Sequence, residues 1–151
     1  NECLAVMTQA VFEQQGTLDK YMGDAIMAVF NAPIFQKDHS QRAVATALRI
    51  QERMRQVEQA RNFPVRCGIG INTGDVVVGN IGTEQRLEYT VMGDSVNIAA
   101  RLCSSAAGGQ TLISQRTYGL VKENVQVNRV FSLLIKGKEA PVLVYDIKDI
   151  L

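Results

Sequence analysis

Apolar residues fall at helical spacing from the start of the chain. Leu4, Val6, Met7, Val11 and Phe12 predict a helix over 2–15, stopped by Gly16. No capping residue precedes it, so the pattern reads as a helix entered midway and predicts a chain that continues upstream. Thr17–Met22 and Ile26–Phe30 read as two strands around Gly23-Asp24, a hairpin. Asn31-Ala32-Pro33 ends the second strand, since proline cannot continue a central ladder. Asp38 is placed to cap the next helix. Its apolar stripe is Ala43, Val44, Ala47, Leu48, Ile50 and Met54, and it runs to about Ala60. Arg42, Arg49, Arg53 and Arg55 fall mostly on its wet face.

Val65–Thr73 reads as a strand, with Gly68 and Gly70 allowing close backbone approach. Gly74-Asp75 reads as a two-residue hairpin turn into a strand at Val76–Gly79. A polar loop at Gly82–Arg86 and an extended stretch at Leu87–Val91 follow. Ser95–Ser105 reads as a helix with Val96, Ala99, Ala100 and Cys103 inward, ended by Gly108-Gly109. Thr111–Ser114 is a strand and Gln115–Val121 a short helix. Val125–Ile135 and Val142–Ile147 are late strands joined through Lys136-Gly137-Lys138. Helices alternate with hairpins, which predicts an α+β fold rather than a doubly wound parallel sheet.

A chain of 151 residues, 46% of them hydrophobic, predicts one domain with an ordinary core. Sixteen Lys and Arg against fifteen Asp and Glu leave a net charge of +1. No broad charge field points to nucleic acid or an anionic membrane, so anion binding must come from local placement. Cys3, Cys67 and Cys103 have no metal-ligand spacing and read as buried, reduced thiols of a cytosolic domain. His39 has no Cys or His nearby and reads as a surface or capping residue. No apolar run approaches the roughly 20 residues that span a bilayer, and the first residues lack a signal-peptide pattern.

Candidate chemistry concentrates in two stretches. A carboxylate pinned by glycine at the end of a buried strand, as in Gly23-Asp24, is a common holder of a hard divalent cation. The alternative is a turn aspartate that satisfies nearby backbone amides. Asn97 and Arg101 stand four apart on one helix and share a face, either a plain polar face or a binding one. Gly68-x-Gly70 and Gly79-x-x-Gly82 open no helix after a strand in a βαβ unit, so they are a weak signal for a dinucleotide fingerprint.

Two segments carry a family likeness. Lys20-Tyr21-Met22-Gly23-Asp24-Ala25-Ile26-Met27-Ala28-Val29-Phe30 and Glu88-Tyr89-Thr90-Val91-Met92-Gly93-Asp94-Ser95-Val96-Asn97-Ile98-Ala99-Ala100-Arg101 together resemble the catalytic domain of class III nucleotide cyclases. The likeness runs from about Val11 to Ile147 and is nearest to the adenylyl cyclases with threonine at a base-reading position. It implies a ferredoxin-like, palm-type sheet packed by helices, with residues 1–151 forming one catalytic domain. It also implies cyclisation of ATP to 3′,5′-cyclic AMP and pyrophosphate.

The resemblance implies a role for each candidate residue. Asp24 would be a metal ligand, one of two aspartates that hold two Mg²⁺ (or Mn²⁺) ions per site. Lys20 would meet the adenine ring, since a lysine donor suits the N1 acceptor of adenine but not the N1–H of guanine. Thr90 would read the 6-amino group. Asn97 would orient the ribose, Arg101 would meet the triphosphate, and Lys136, ahead of Lys138, would bind a phosphate.

Family members act as head-to-tail dimers, which implies a homodimer with sites at the interface. The long hairpin near Gly79-x-x-Gly82 would be a dimer arm. The partner aspartate lies on a Phe-x-Asp-Ile-x-Gly-Phe strand in the family, and nothing in Asn1–Phe12 matches it. That strand is expected upstream, as are the regulatory domains of a cytoplasmic catalytic unit. A second reading, a non-catalytic cyclase-homology module for dimerisation or nucleotide sensing, would also account for its absence. Lys20, Asp24, Asn97 and Arg101 weigh against that reading.

Overall fold

The structure is a computed structural model that describes residues 2–83 and 86–151, with side chains described outside 80–89. Helix α1 (Glu2–Glu13) leads into strands β1 (Thr17–Met22) and β2 (Ala25–Val29). Helix α2 (His39–Arg61) precedes β3 (Ile69–Ile71), β4 (Val77–Thr83) and β5 (Arg86–Met92). Helix α3 (Asp94–Ser105), β6 (Thr111–Ser114) and α4 (Gln115–Val121) follow, and β7 (Val125–Leu133) and β8 (Val142–Ile150) close the chain. Four strands form one sheet in the order β3-β6-β8-β7, while β1-β2 and β4-β5 are separate antiparallel hairpins. The architecture is the α+β one that the sequence predicts.

The core follows the apolar pattern. Met7 and Ala10 of α1 pack against Ile50 and Met54 of α2. Val44, also on α2, joins Ile113, Val121, Val125 and Ile147 over the sheet. A third cluster sets Leu102 of α3 against Leu112 and Val144. Glu13 accepts from Arg53 at 2.8 Å, and Glu2 pairs with Arg61, so two ion pairs tie α1 along α2. Among the described residues, no helix is long and apolar enough to cross a membrane.

Several local readings need correction. The strand expected over Val65–Thr73 is only Ile69–Ile71, because its parallel partner β6 has four residues, the last of which, Ser114, caps α4. Gly74-Asp75 is not a hairpin turn, because β3 pairs with β6 while β4 turns back onto β5. The polar loop expected at Gly82–Arg86 is mostly strand, with Gly82 opposite Leu87 and Thr83 opposite Arg86. Asp38 stands at the start of α2 but caps no backbone amide. Its carboxylate accepts from Arg42 Nε at 2.7 Å, and that hydrogen bond lowers its pKa. Cys103 is exposed rather than buried, and no disulfide joins the three cysteines.

The face of α3 also differs from expectation. Leu102 is fully buried, Val96, Ile98 and Ala99 are half-buried, and Ala100 and Cys103 are exposed. The cause is Gly70. A Cβ there would run into the backbone nitrogen of Cys103 and lie 2.6 Å from the carbonyl of Ala99. The helix therefore rests on the β3 backbone itself, a close approach that only glycine permits.

Candidate functional site

Six residues were singled out as site candidates, and the fold places them on three segments. The first is the β1-β2 hairpin, where Lys20 pairs in register with Met27 and Gly23-Asp24 forms the tip. Gly23 has a φ of 66°, a conformation that glycine adopts without strain. Asp24 is exposed, and no hydrogen bond or ion pair engages it among the described residues.

The second segment is β5 with the helix that follows. Thr90 is half-buried on β5, opposite Gly79 of β4. Strand β1 lies against β5, so the strands that carry Lys20 and Thr90 are neighbours. Strand β5 then passes through Gly93, with a φ of 136°, into α3. Asn97 and Arg101 lie one turn apart on α3, and both are exposed. Asn72 Nδ2 donates to the Ser95 carbonyl at 3.0 Å, and Gly74 sits so close to Ser95 that a Cβ would strike its Oγ. These contacts and Gly70 fix the helix that carries the pair.

The third segment is the β7-β8 loop. Lys138 Nζ lies 2.8 Å from Asp94 Oδ2, which ties the loop to the first turn of α3. Lys136, two residues away, is exposed and has no ion pair among the described residues. The structure thus groups Lys20 with Thr90 through β1 and β5, and Lys136 with the start of α3. It draws no direct contact between Asp24 and the other five.

Sequence reasoning missed Asp19. Its side chain is 0% exposed, neither carboxylate oxygen has a hydrogen-bond partner, and the Lys20 ammonium lies 3.6 Å away. Two charged residues in succession on a strand break the period-two pattern, and that break was the available signal.

The arrangement suits an anionic, hard-ligand substrate. Lys20, Arg101 and Lys136 are exposed cationic side chains on a chain of net charge +1, so the positive potential is local. Asp24 offers one hard oxygen donor at an open turn, which fits Mg²⁺ held by one or two carboxylates together with substrate phosphates. No cluster of three or more His, Cys, Asp or Glu side chains able to hold a metal occurs among the described residues.

Comparison with known proteins gives the arrangement its context. Residues 1–148 match the model of the adenylate and guanylate cyclase catalytic domain. Adenylate cyclase 1 of Rhizobium meliloti is 31% identical over 97% of this chain, which spans only 23% of that relative's length. Among solved structures, the guanylyl cyclase Cya2 is 39% identical with a TM-score of 0.91, covering 98% of this chain and 77% of that one. The adenylyl cyclase CyaB from P. aeruginosa is 34% identical with a TM-score of 0.88, covering 99% of this chain and 80% of that one.

Proposed function

The chain belongs to the adenylate and guanylate cyclase catalytic domain family, and from that premise we propose that it is an adenylyl cyclase that converts ATP to cyclic AMP and pyrophosphate. The observation that carries the reading is the adjacency of β1 and β5, which sets Lys20 and Thr90 on neighbouring strands. A lysine donates to adenine N1, where guanine presents a hydrogen and would leave that donor unmatched. Thr90 can accept from the 6-amino group, with looser discrimination than a carboxylate because its hydroxyl can also donate.

The reaction is an intramolecular displacement. The ribose 3′-hydroxyl loses its proton, the 3′-oxygen bonds to the α-phosphorus, and the bond from that phosphorus to the bridging oxygen breaks. Pyrophosphate leaves. The chain's own residues position the substrate and counter its charge, which is where most phosphoryl-transfer catalysis lies. Asn97 orients the ribose. Arg101 holds the triphosphate with its planar fork, a geometry that lysine lacks. Lys136 neutralises a phosphate from the β7-β8 loop.

Asp24 is the residue that would hold Mg²⁺ or Mn²⁺. Two such ions, when bound, supply a lowered 3′-hydroxyl pKa and charge neutralisation on the departing pyrophosphate. The site forms between two copies in a homodimer, with Asp24 from one protomer and Lys20, Thr90, Asn97, Arg101 and Lys136 from the other. Asp24 makes no direct contact with the other five, and this supports the division.

A second reading, GTP as substrate, takes support from the likeness to the guanylyl cyclase Cya2. Lys20 opposes it on donor matching. The shared-site claim is tested in the intact natural protein by mixing two inactive variants, Asp24→Ala and Arg101→Ala. A heterodimer rebuilds one complete site, so cyclic AMP production should return in the mixture. Continued silence with heterodimers demonstrated would refute the division.

A further inference from the structure

Asp19 is an anomaly among the described side chains. A carboxylate removed from water without hydrogen bonds is costly, and proteins rarely keep one without a partner. Here the side chain is 0% exposed, and among the described residues no arginine, amide or hydroxyl donates to either oxygen. Among the described residues, the one group that compensates it is the Lys20 ammonium at 3.6 Å.

The backbone is built to bring the two together. Consecutive side chains on a regular strand point to opposite faces, which would separate Asp19 from Lys20. The β1-β2 register breaks at this point. Leu18 pairs with Ala28 and Lys20 with Met27, so Asp19 is an extra residue with no partner across the hairpin. A bulge of this kind re-aims side chains and is common beside active sites. It lets a buried carboxylate reach the head of a lysine whose side chain remains 46% exposed.

We infer that Asp19 is a positioning residue for base selection: its buried carboxylate anchors the ammonium of Lys20 at the adenine edge. A lysine head on four rotatable bonds loses much conformational freedom when it binds. An ammonium has three donors. The ion pair with Asp19 at 3.6 Å biases the head toward one position without using a hydrogen-bond donor, and the donors remain for adenine N1. The free protein then already holds the geometry that ATP needs, and the guanine N1–H meets a fixed donor instead of one that can swing away. The anchor therefore strengthens ATP binding and sharpens the preference for it over GTP. A carboxylate kept for stability alone would be better replaced by an apolar side chain, as buried ionic groups often can be.

This inference rests on the reading of Lys20 as the base-binding lysine, and the test separates the two. In the intact natural protein, ATP and GTP affinities are measured by competition against a fluorescent ATP analogue. The variants are Asp19→Asn, Lys20→Ala and the two combined, with a thermal melt for each. Asp19→Asn should weaken ATP about threefold to tenfold, toward the lower end of the range for coupled neighbours, leave GTP unchanged or tighter, and leave the melting temperature no lower than wild type. In the Lys20→Ala background the same substitution should have no further effect.

If Lys20→Ala lowers ATP preference while Asp19→Asn does not, the anchor is wrong and the Lys20 reading stands. If Lys20→Ala leaves the preference intact, both fall. Equal weakening of ATP and GTP by Asp19→Asn, with a lower melting temperature, would assign Asp19 a purely structural role. Asp19→Leu, an apolar replacement of similar size, serves the same comparison if the asparagine variant fails to fold.

Discussion

Lys138 Nζ lies 2.8 Å from Asp94 Oδ2 and ties the tip of the β7-β8 hairpin to the first turn of α3. Gly137, with a φ of 91°, turns the loop between Lys138 and Lys136. The helix that carries Asn97 and Arg101 and the loop that carries Lys136 are thus joined by one ion pair. Both partners are partly exposed, so the pair adds under about 1 kcal/mol to stability. Its consequence is placement. Asp94→Ala should leave the urea midpoint almost unchanged and raise the KM for ATP a few-fold, whereas Lys136→Ala should raise it more. Equal KM values in wild type and Asp94→Ala would separate the tether from substrate binding.

Gly70 sets the seat of α3. Gly70→Ala would press a methyl into the backbone of Ala99 and Cys103. Backbone cannot yield as a flexible side chain can, so the helix must move or the fold must weaken, typically by about 1–3 kcal/mol. Urea denaturation should show that loss, and cyclase activity should fall further than the unfolded fraction explains. A variant with wild-type stability and activity would mean that α3 has slack the structure does not show.

How much of this was legible in the sequence can be judged at particular residues. The hairpin around Gly23-Asp24, the stripe on α2 and the face shared by Asn97 and Arg101 were readable, because each rests on local spacing. The partner of β3 was not. Gly74-Asp75 has the composition of a tight turn, yet a parallel pairing with β6 some forty residues later overrides it. The rotation of α3 was also hidden, since the deciding contact is between Gly70 and helix backbone, where no side-chain pattern records it. Asp19 escaped because a bulge is a property of two strands in register. Its two neighbouring charges were visible; the burial of one of them was not.

Cys67 gives a pH-dependent prediction. Burial raises its thiol pKa from 9.0 to about 11, with lesser contributions from Cys103 and Cys3. The folded state therefore favours the neutral thiol. The stability this contributes is complete below about pH 9 and is lost as pH rises toward 11, as the unfolded chain ionises first. Iodoacetamide labelling read by mass spectrometry at pH 8 should modify exposed Cys103 well before Cys67. Faster labelling of Cys67 would show that its site is open to solvent.

ATP recognition by Lys20 and Thr90 is the central claim. The most direct measurement is kcat/KM for ATP and for GTP, in the intact natural protein and in its Lys20→Glu, Thr90→Cys double variant. Glutamate can accept from guanine N1–H and the 2-amino group, where lysine can only donate. The wild type should prefer ATP. The double variant should show a lower ATP-to-GTP ratio and a lower total rate, since pocket shape also discriminates. A wild type that prefers GTP, or a ratio that does not fall in the variant, would contradict the account.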